Sequence, residues 1–268
     1  MSSLKLLFIG DIMGKSGRAA IKKALPELKE KYNPDLIIAN AENLAHGKGV
    51  TESTLQEMLD IGIDFFTSGD HIWDNKKEIE KIFSENKLPI IRPANYPEGI
   101  PGYGYKVIEI GTNKILIVNL IGRVFFRSNF ECPFREMEKI LEQFKDENLS
   151  AIIVDFHAEA TSEKNTLSRY FDGKVSAVLG THTHIQTADE QILPNGTAHI
   201  TDVGFVGIKN SSLGLDLKNV TETFLYQTPR EHEIPEHGIC QVNAVFVIIK
   251  PETKLAVQIE RINIDVEI

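Results

Sequence analysis

Leu4-Lys-Leu-Leu-Phe-Ile-Gly-Asp11 is a short aliphatic run stopped at once by glycine and an acid. Such a run reads as a buried β-strand, and the small polar break marks the loop that feeds the next element. The cadence recurs at Leu36–Ala39, Phe65–Thr67, Ile115–Asn119, Ile152–Asp155 and Ala177–Leu179. Between these runs lie amphipathic patterns over 17–31, 52–61, 76–85, 133–147 and 162–171, with Ser16, Thr51 and Thr161 placed to cap three of them. Strands apolar on both faces call for cover on both sides, which predicts an α/β protein built as a layered α/β/α sandwich. After about residue 238 the alternation ends. Gln241–Ile249 and Lys254–Ile264, joined around Pro251-Glu252-Thr253, read as an antiparallel hairpin that ends the sheet. No linker divides the chain, so residues 1–268 are expected to form one domain.

Composition narrows the function classes. The 268 residues are 42% hydrophobic and 25% charged, the balance of a globular chain rather than a disordered or fibrous one. A net charge of −9 argues against broad binding of nucleic acid, although a small anion can still meet local positive charge. Cys132 and Cys240 lie far apart without CxxC spacing, so neither a disulfide framework nor a cysteine zinc module is expected. No apolar run approaches the roughly 18 residues of a membrane helix. Together these features predict a cytoplasmic protein with no membrane partner.

The informative residues follow the strands, because open α/β sheets bind ligands beyond the carboxyl ends of their strands. Gly10-Asp11, Asn40-Ala-Glu42-Asn43, Gly69-Asp70-His71, Phe156-His157 and Gly180-Thr-His182-Thr-His184 would converge on one rim. Singly, an Asp after a strand is usually a helix cap and a His an ordinary residue. Gathered, the carboxylates would resist joint ionisation unless positive charge sat among them. Imidazole and carboxylate donors without thiolate suit iron, manganese or zinc, and their number suffices for two ions sharing a carboxylate. An extended His-x-His places both rings on one side of the chain, so His182 and His184 can each reach a different ion. Two such ions clamp an in-line phosphoryl displacement, which favours phosphoester hydrolysis.

At these residues the sequence resembles the calcineurin-type metallophosphoesterases, and more closely the YmdB-like bacterial phosphodiesterases. The likeness is carried by Phe8-Ile-Gly-Asp-Ile-Met-Gly14, Ala41-Glu-Asn-Leu-Ala-His-Gly-Lys-Gly49, Arg92-Pro-Ala-Asn-Tyr-Pro97, Asp155-Phe-His-Ala-Glu-Ala-Thr-Ser-Glu163, Gly180-Thr-His-Thr-His-Ile-Gln-Thr-Ala-Asp189 and Ile200-Thr-Asp-Val-Gly204. The resemblance implies that Asp11, Glu42, Asn43 and His184 surround one ion, with Glu42 bridging. Asp70, His157 and His182 would hold the other. It further implies two divalent or mixed-valence ions, iron or manganese first and zinc second, and a metal-bound hydroxide as nucleophile. His71 would be the general acid, a role suited to imidazole. The implied substrates are small nucleotide phosphodiesters, 2′,3′-cyclic and 3′,5′-cyclic.

Two departures from the superfamily pattern stand out. Met13 replaces the usual His two residues after the first Asp, as the YmdB-like branch leads one to expect. Asp70 replaces the family Asn of Gly-Asn-His, adding a negative charge that would tighten metal binding and weaken the pull on phosphate. His46, Arg92, Asn95, Arg123 and Lys48 sit in loops that can approach the rim and are candidate substrate contacts. His199, His232 and His237 are read as ordinary residues, and Trp73 as a packing residue. Rival functions are a phosphomonoesterase or nucleotidase, and a regulatory nucleotide-binding protein with weakened catalysis. The resemblance is compatible with a homo-oligomer, since the outer edge of the C-terminal hairpin would need covering.

Overall fold

The computed structural model describes residues 3–231 and 233–268. His232 lies outside the described residues. In chain order the first half contains β1 (Leu4–Ile9), β2 (Asp11–Ile12), α1 (Gly14–Tyr32), β3 (Leu36–Asn40), α2 (Glu52–Asp60), β4 (Phe65–Thr67), a 3-10 turn (Asp70–Trp73), α3 (Lys76–Glu85), β5 (Tyr105–Ile110) and β6 (Asn113–Ile121). The second half contains α4 (Pro133–Gln143), β7 (Ala151–His157), α5 (Thr161–Tyr170), β8 (Ala177–Thr181), β9 (Gln191–Ile192), β10 (Ala198–Ile200), β11 (Phe205–Ile208), α6 (Leu217–Tyr226), β12 (Ile239–Lys250) and β13 (Leu255–Glu267).

The strands form two sheets. One runs β2-β11-β12-β1-β3-β4, with β13 on the outer side of β12, and the other runs β5-β6-β7-β8-β10-β9. The period-two alternation of β1 explains how they stack. Leu7 and Ile9 face α1 and its neighbours in one core. Leu6 and Phe8 face the second sheet, meeting Ile117, Ile153 and Leu179 in a core between the sheets. A third core lies between β6–β8 and the helices α4 and α5. The layering is therefore α/β/β/α. The expected apolar second face is present, but another sheet covers it where the sequence reading placed helices.

Two local expectations change. Thr51 does cap α2, and its hydroxyl accepts the Thr54 N–H while Thr54 reciprocates. Ser16, by contrast, is buried inside α1, because that helix begins at Gly14, whose N–H donates to the Asn43 carbonyl at 2.9 Å. Thr161 is the first residue of α5, with Ala160 in the cap position. The C-terminal hairpin is longer than the apolar pattern suggested, and its outer strand ends the sheet as expected. β12 pairs with β1 on one side, through Leu6↔Val247 and Phe8↔Val245, and with β13 on the other, leaving β13 as the edge. No helix among the described residues is long and apolar enough to cross a membrane.

Candidate metal centre

The parallel strands β1, β3 and β4 of one sheet and β6, β7 and β8 of the other deliver their carboxyl ends to one rim. Asp11 opens β2, one residue past β1, and is fully buried; its Oδ2 accepts the His182 N–H at 3.2 Å, while Oδ1 has no hydrogen-bond partner among the described residues. Glu42 follows β3. Its Oε1 accepts the Asn43 side-chain amide at 2.9 Å, and its Oε2 accepts the His71 backbone N–H at 3.2 Å and lies 3.1 Å from His157 Nε2. Asp70 Oδ1 lies 3.1 Å from the same nitrogen and 3.5 Å from His182 Nδ1.

Each imidazole is oriented from behind. Thr181 donates its hydroxyl to Asp155 Oδ1 at 2.7 Å, so its lone pair receives His157 Nδ1–H at 2.9 Å. That directs His157 Nε2 toward the carboxylates. Asn40 completes this support, donating to Asp155 Oδ2 at 2.9 Å and accepting the Glu42 N–H at 3.0 Å. His184 donates Nδ1–H to the Leu213 carbonyl at 3.0 Å and stacks on Phe205, leaving Nε2 beside the Asn43 amide at 3.2 Å. His182 turns Nδ1 toward His157 at 3.0 Å and Nε2 toward Glu159 at 3.1 Å.

Electrostatics follow from this crowding. Burial pushes the Asp11 carboxyl up to about 8, helped by Glu42, Asp202 and Asp155 and opposed by His157. Burial pushes Asp155 up to about 6. Burial also works on Glu42 and Asp70, but His157 outweighs it at Glu42, and His157 with His182 at Asp70, so both carboxyls are held below their ordinary values. His157 is drawn well above the usual imidazole range because Glu42, Asp70 and Asp11 outweigh its desolvation.

The residues fit metal ions on three independent grounds. Ligand atoms of Glu42, Asp70, His157 and His182 form one group, those of Asp11, Glu42 and His184 another, and within each all lie within 4.8 Å of one another. The orphaned Asp11 Oδ1 is a buried oxygen that needs a partner. Gly69 keeps the cradle open: a Cβ there would stand 2.2 Å from Glu42 Oε2 and 2.3 Å from His157 Nε2.

The structure thus brings together Asp11, Glu42, Asn43, Asp70, His157, His182 and His184. His71 stands at the mouth, lining a cleft of about 580 Å³ that also includes Asp70, His182 and Lys48, with its Nδ1 paired to Asp74 Oδ2 at 2.9 Å. Other expected substrate contacts lie elsewhere. Arg92 is largely buried and donates to the Pro101 and Pro93 carbonyls at 3.0 and 2.8 Å, in a different cleft. Asn95 is fully buried and ties Ile121 to Glu131. His46 is exposed and lines a separate depression with Lys15 and Glu236. Arg123 is exposed, and its backbone N–H donates to Glu163. Trp73 packs edge-on against Phe83 and Tyr96. Sequence reasoning missed Phe125, Phe126, Arg127 and Glu159, which line the cleft. The adjacent aromatics of a polar loop were the available signal.

Comparison with known proteins agrees with this geometry. A relative from Bacillus subtilis (strain 168), described as a 2′,3′-cyclic-nucleotide 2′-phosphodiesterase, is 42% identical over 262 residues, covering 98% of this chain and 97% of that one. The crystal structure of a novel phosphatase from Mycoplasma pneumoniae superposes with a TM-score of 0.93 at 36% identity, covering 100% of this chain and 95% of that one. That of a hypothetical protein from Thermus thermophilus gives 0.90 at 37% identity, over 98% and 99%. The chain is a phosphoester hydrolase of the metal-dependent class. The family model for YmdB-like proteins matches residues 7–262, and the chain belongs to that family.

Proposed function

We propose that the chain hydrolyses small nucleotide phosphodiesters, 2′,3′-cyclic nucleotides foremost and 3′,5′-cyclic nucleotides as a second class, with two divalent transition-metal ions. Asp11, Asn43 and His184 would hold one ion and Asp70, His157 and His182 the other. The observation that carries this reading is that Glu42 belongs to both donor groups, as a carboxylate shared between two ions must. Iron or manganese suits the nitrogen and oxygen donors best, with zinc as an alternative. When bound, the ions supply Lewis acidity toward the phosphoryl oxygens and make water at the site more acidic.

The chain's own residues do the rest. Asp74 accepts His71 Nδ1–H, which fixes the ring and leaves Nε2 to carry the proton delivered to the departing alkoxide. Lys48, which shares the cleft, offers positive charge to a non-bridging phosphate oxygen. Glu159 Oε2, 3.1 Å from His182 Nε2, accepts from that nitrogen and orients the imidazole so that Nδ1 faces the donor group.

A phosphomonoesterase is the second reading, favoured by the Mycoplasma pneumoniae phosphatase to which the chain is similar. Elemental analysis of the purified protein, joined to a panel of cyclic nucleotides and the matching monophosphates with and without chelator, separates the two. Chelator-sensitive release of monophosphate from the diesters, with slow release of phosphate from the monoesters, is the expected result. Turnover of monoesters alone would overturn it.

A further inference from the structure

The loop between β6 and α4 has both ends secured. Glu163 of α5 accepts the N–H groups of Arg123, at 3.0 and 3.1 Å, and of Val124 at 3.2 Å. Asn95, fully buried, accepts the Ile121 N–H at 2.8 Å and donates to the carbonyls of Ile121 and Glu131 at 2.8 and 2.9 Å. Gly122 permits the first of these anchors, since a Cβ there would stand 2.6 Å from Glu163 Oε2. What the anchors hold out over the site is a pair of aromatic rings.

The two rings have different surroundings. Phe126 is committed to the protein, its ring 4.9 Å from that of His182 and 5.8 Å from that of Phe130. Phe125 is 81% exposed and lines the cleft together with Asp70, His71 and His182. Its φ of +71° is one that a bulky side chain rarely adopts. A mostly exposed apolar ring, carried on backbone in a disfavoured conformation at the rim of a reaction cleft, is the kind of feature that marks ligand contact.

We propose that the cleft beneath residues 122–131 is a nucleoside subsite, in which the base of the substrate stacks on Phe125 while its phosphodiester reaches the donor groups. The inference rests on the phosphodiesterase reading above and deepens it, because it makes the base a recognised part of the substrate. Beside the cations Lys48 and Arg127, the cleft presents the carboxylates of Asp74 and Glu159, which can accept hydrogen bonds from ribose hydroxyls or exocyclic amines. A neutral π-face is also insensitive to which base is present, so the subsite selects for a base without reading its identity.

The test compares a nucleoside 2′,3′-cyclic phosphate with base-free ribose 2,3-cyclic phosphate, using metal-loaded wild type, Phe125→Ala and Phe125→Trp. Wild type is expected to prefer the nucleoside substrate in kcat/KM by about tenfold, the scale of one base–aromatic stack. Phe125→Ala should bring that ratio near one, chiefly through KM, and Phe125→Trp should restore it. An unchanged ratio in Phe125→Ala overturns the subsite while leaving the hydrolase reading intact. If wild type cleaves neither diester, that reading fails, and calorimetric titration with adenosine 3′-monophosphate and ribose 5-phosphate still decides the subsite. Tighter binding of the nucleotide, lost in Phe125→Ala, supports it, and equal affinities overturn it.

Discussion

Lys164 Nζ lies 2.6 Å from Asp202 Oδ2, and both side chains are buried. The same oxygen accepts the N–H and the hydroxyl of Thr183 at 3.0 and 2.8 Å, while Oδ1 accepts the Gly204 N–H at 2.8 Å. The ion pair therefore grips the residue between His182 and His184, both of which have left-handed φ values, +101° and +60°. Lys164→Met keeps most of the side-chain volume and removes the charge, leaving Asp202 buried without its cation. Loss of one partner from such a pair costs about 3–5 kcal/mol, to be read from urea denaturation at unchanged m-value. Metal affinity should fall by about 10–100-fold as the loop behind the two imidazoles relaxes. Wild-type stability together with wild-type metal affinity would mean that the pair does not hold the loop.

Metal loading should expel protons. Burial holds the Asp11 carboxyl protonated up to about 8, and the surrounding carboxylates keep His157 cationic beyond the ordinary imidazole range. Ligation needs the first ionised and the second neutral at Nε2, so affinity rises as pH climbs toward about 8. Calorimetry at pH 7 in buffers of different ionisation enthalpy measures the release, and proton-neutral loading would contradict the assignment. The metal-free protein follows the same sign. Both folded-state values are raised, so Asp11's stabilising contribution is complete below its ordinary 3.8 and fades as pH climbs toward 8. His157 adds a loss in the same direction at higher pH. The metal-free midpoint temperature should accordingly be lower at pH 8.5 than at pH 6.

If His71 protonates the leaving group, its loss should depend on how much the leaving group needs a proton. His71→Asn should lower kcat by about 10²–10⁴-fold on a ribose alkoxide leaving group. On a 4-nitrophenyl diester, which departs as a stable anion, the loss should be much smaller. Asp74→Asn, which replaces the charged acceptor of His71 Nδ1–H, should fall between wild type and His71→Asn in kcat on the ribose substrate. Equal losses on the two diesters would remove the acid role.

The convergence of Asp11, Glu42, Asp70, His157 and His184 was legible because each follows an aliphatic strand, and parallel strands bring their carboxyl ends to one edge. The second sheet was not. Leu6 and Phe8 carry the same apolar pattern whether a helix or another sheet covers them, and only tertiary pairing decides which. Arg92 and Asn95 misled for a related reason. Both are polar residues in loops near the motifs, but their donors satisfy buried carbonyls, a demand set by backbone geometry with no periodic trace in sequence. β10 and β11 were overlooked because His199 and Gly207 interrupt runs of only three and four residues, so neither shows the unbroken apolar character that marked the other short strands.

Asp70 offers the sharpest test of how charge is divided in the centre. Its Oδ1 lies beside both His157 Nε2 and His182 Nδ1, where an amide oxygen could sit equally well, so the carboxylate adds charge rather than reach. Asp70→Asn leaves a neutral oxygen donor in place and removes one negative charge from a group that already contains Glu42, beside the Asp11 group. Metal should then be held about tenfold less tightly, because the ion loses a Coulombic partner. At saturating metal the balance reverses: the more positive centre attracts phosphate more strongly and makes water more acidic, so KM should fall and the acidic limb of kcat should move to lower pH. Measuring turnover across a metal titration separates the two effects, which a single metal concentration would let cancel. Identical metal retention, KM and pH profile in the two proteins would show that the charge at position 70 is neutralised by its imidazole neighbours and is silent in the reaction.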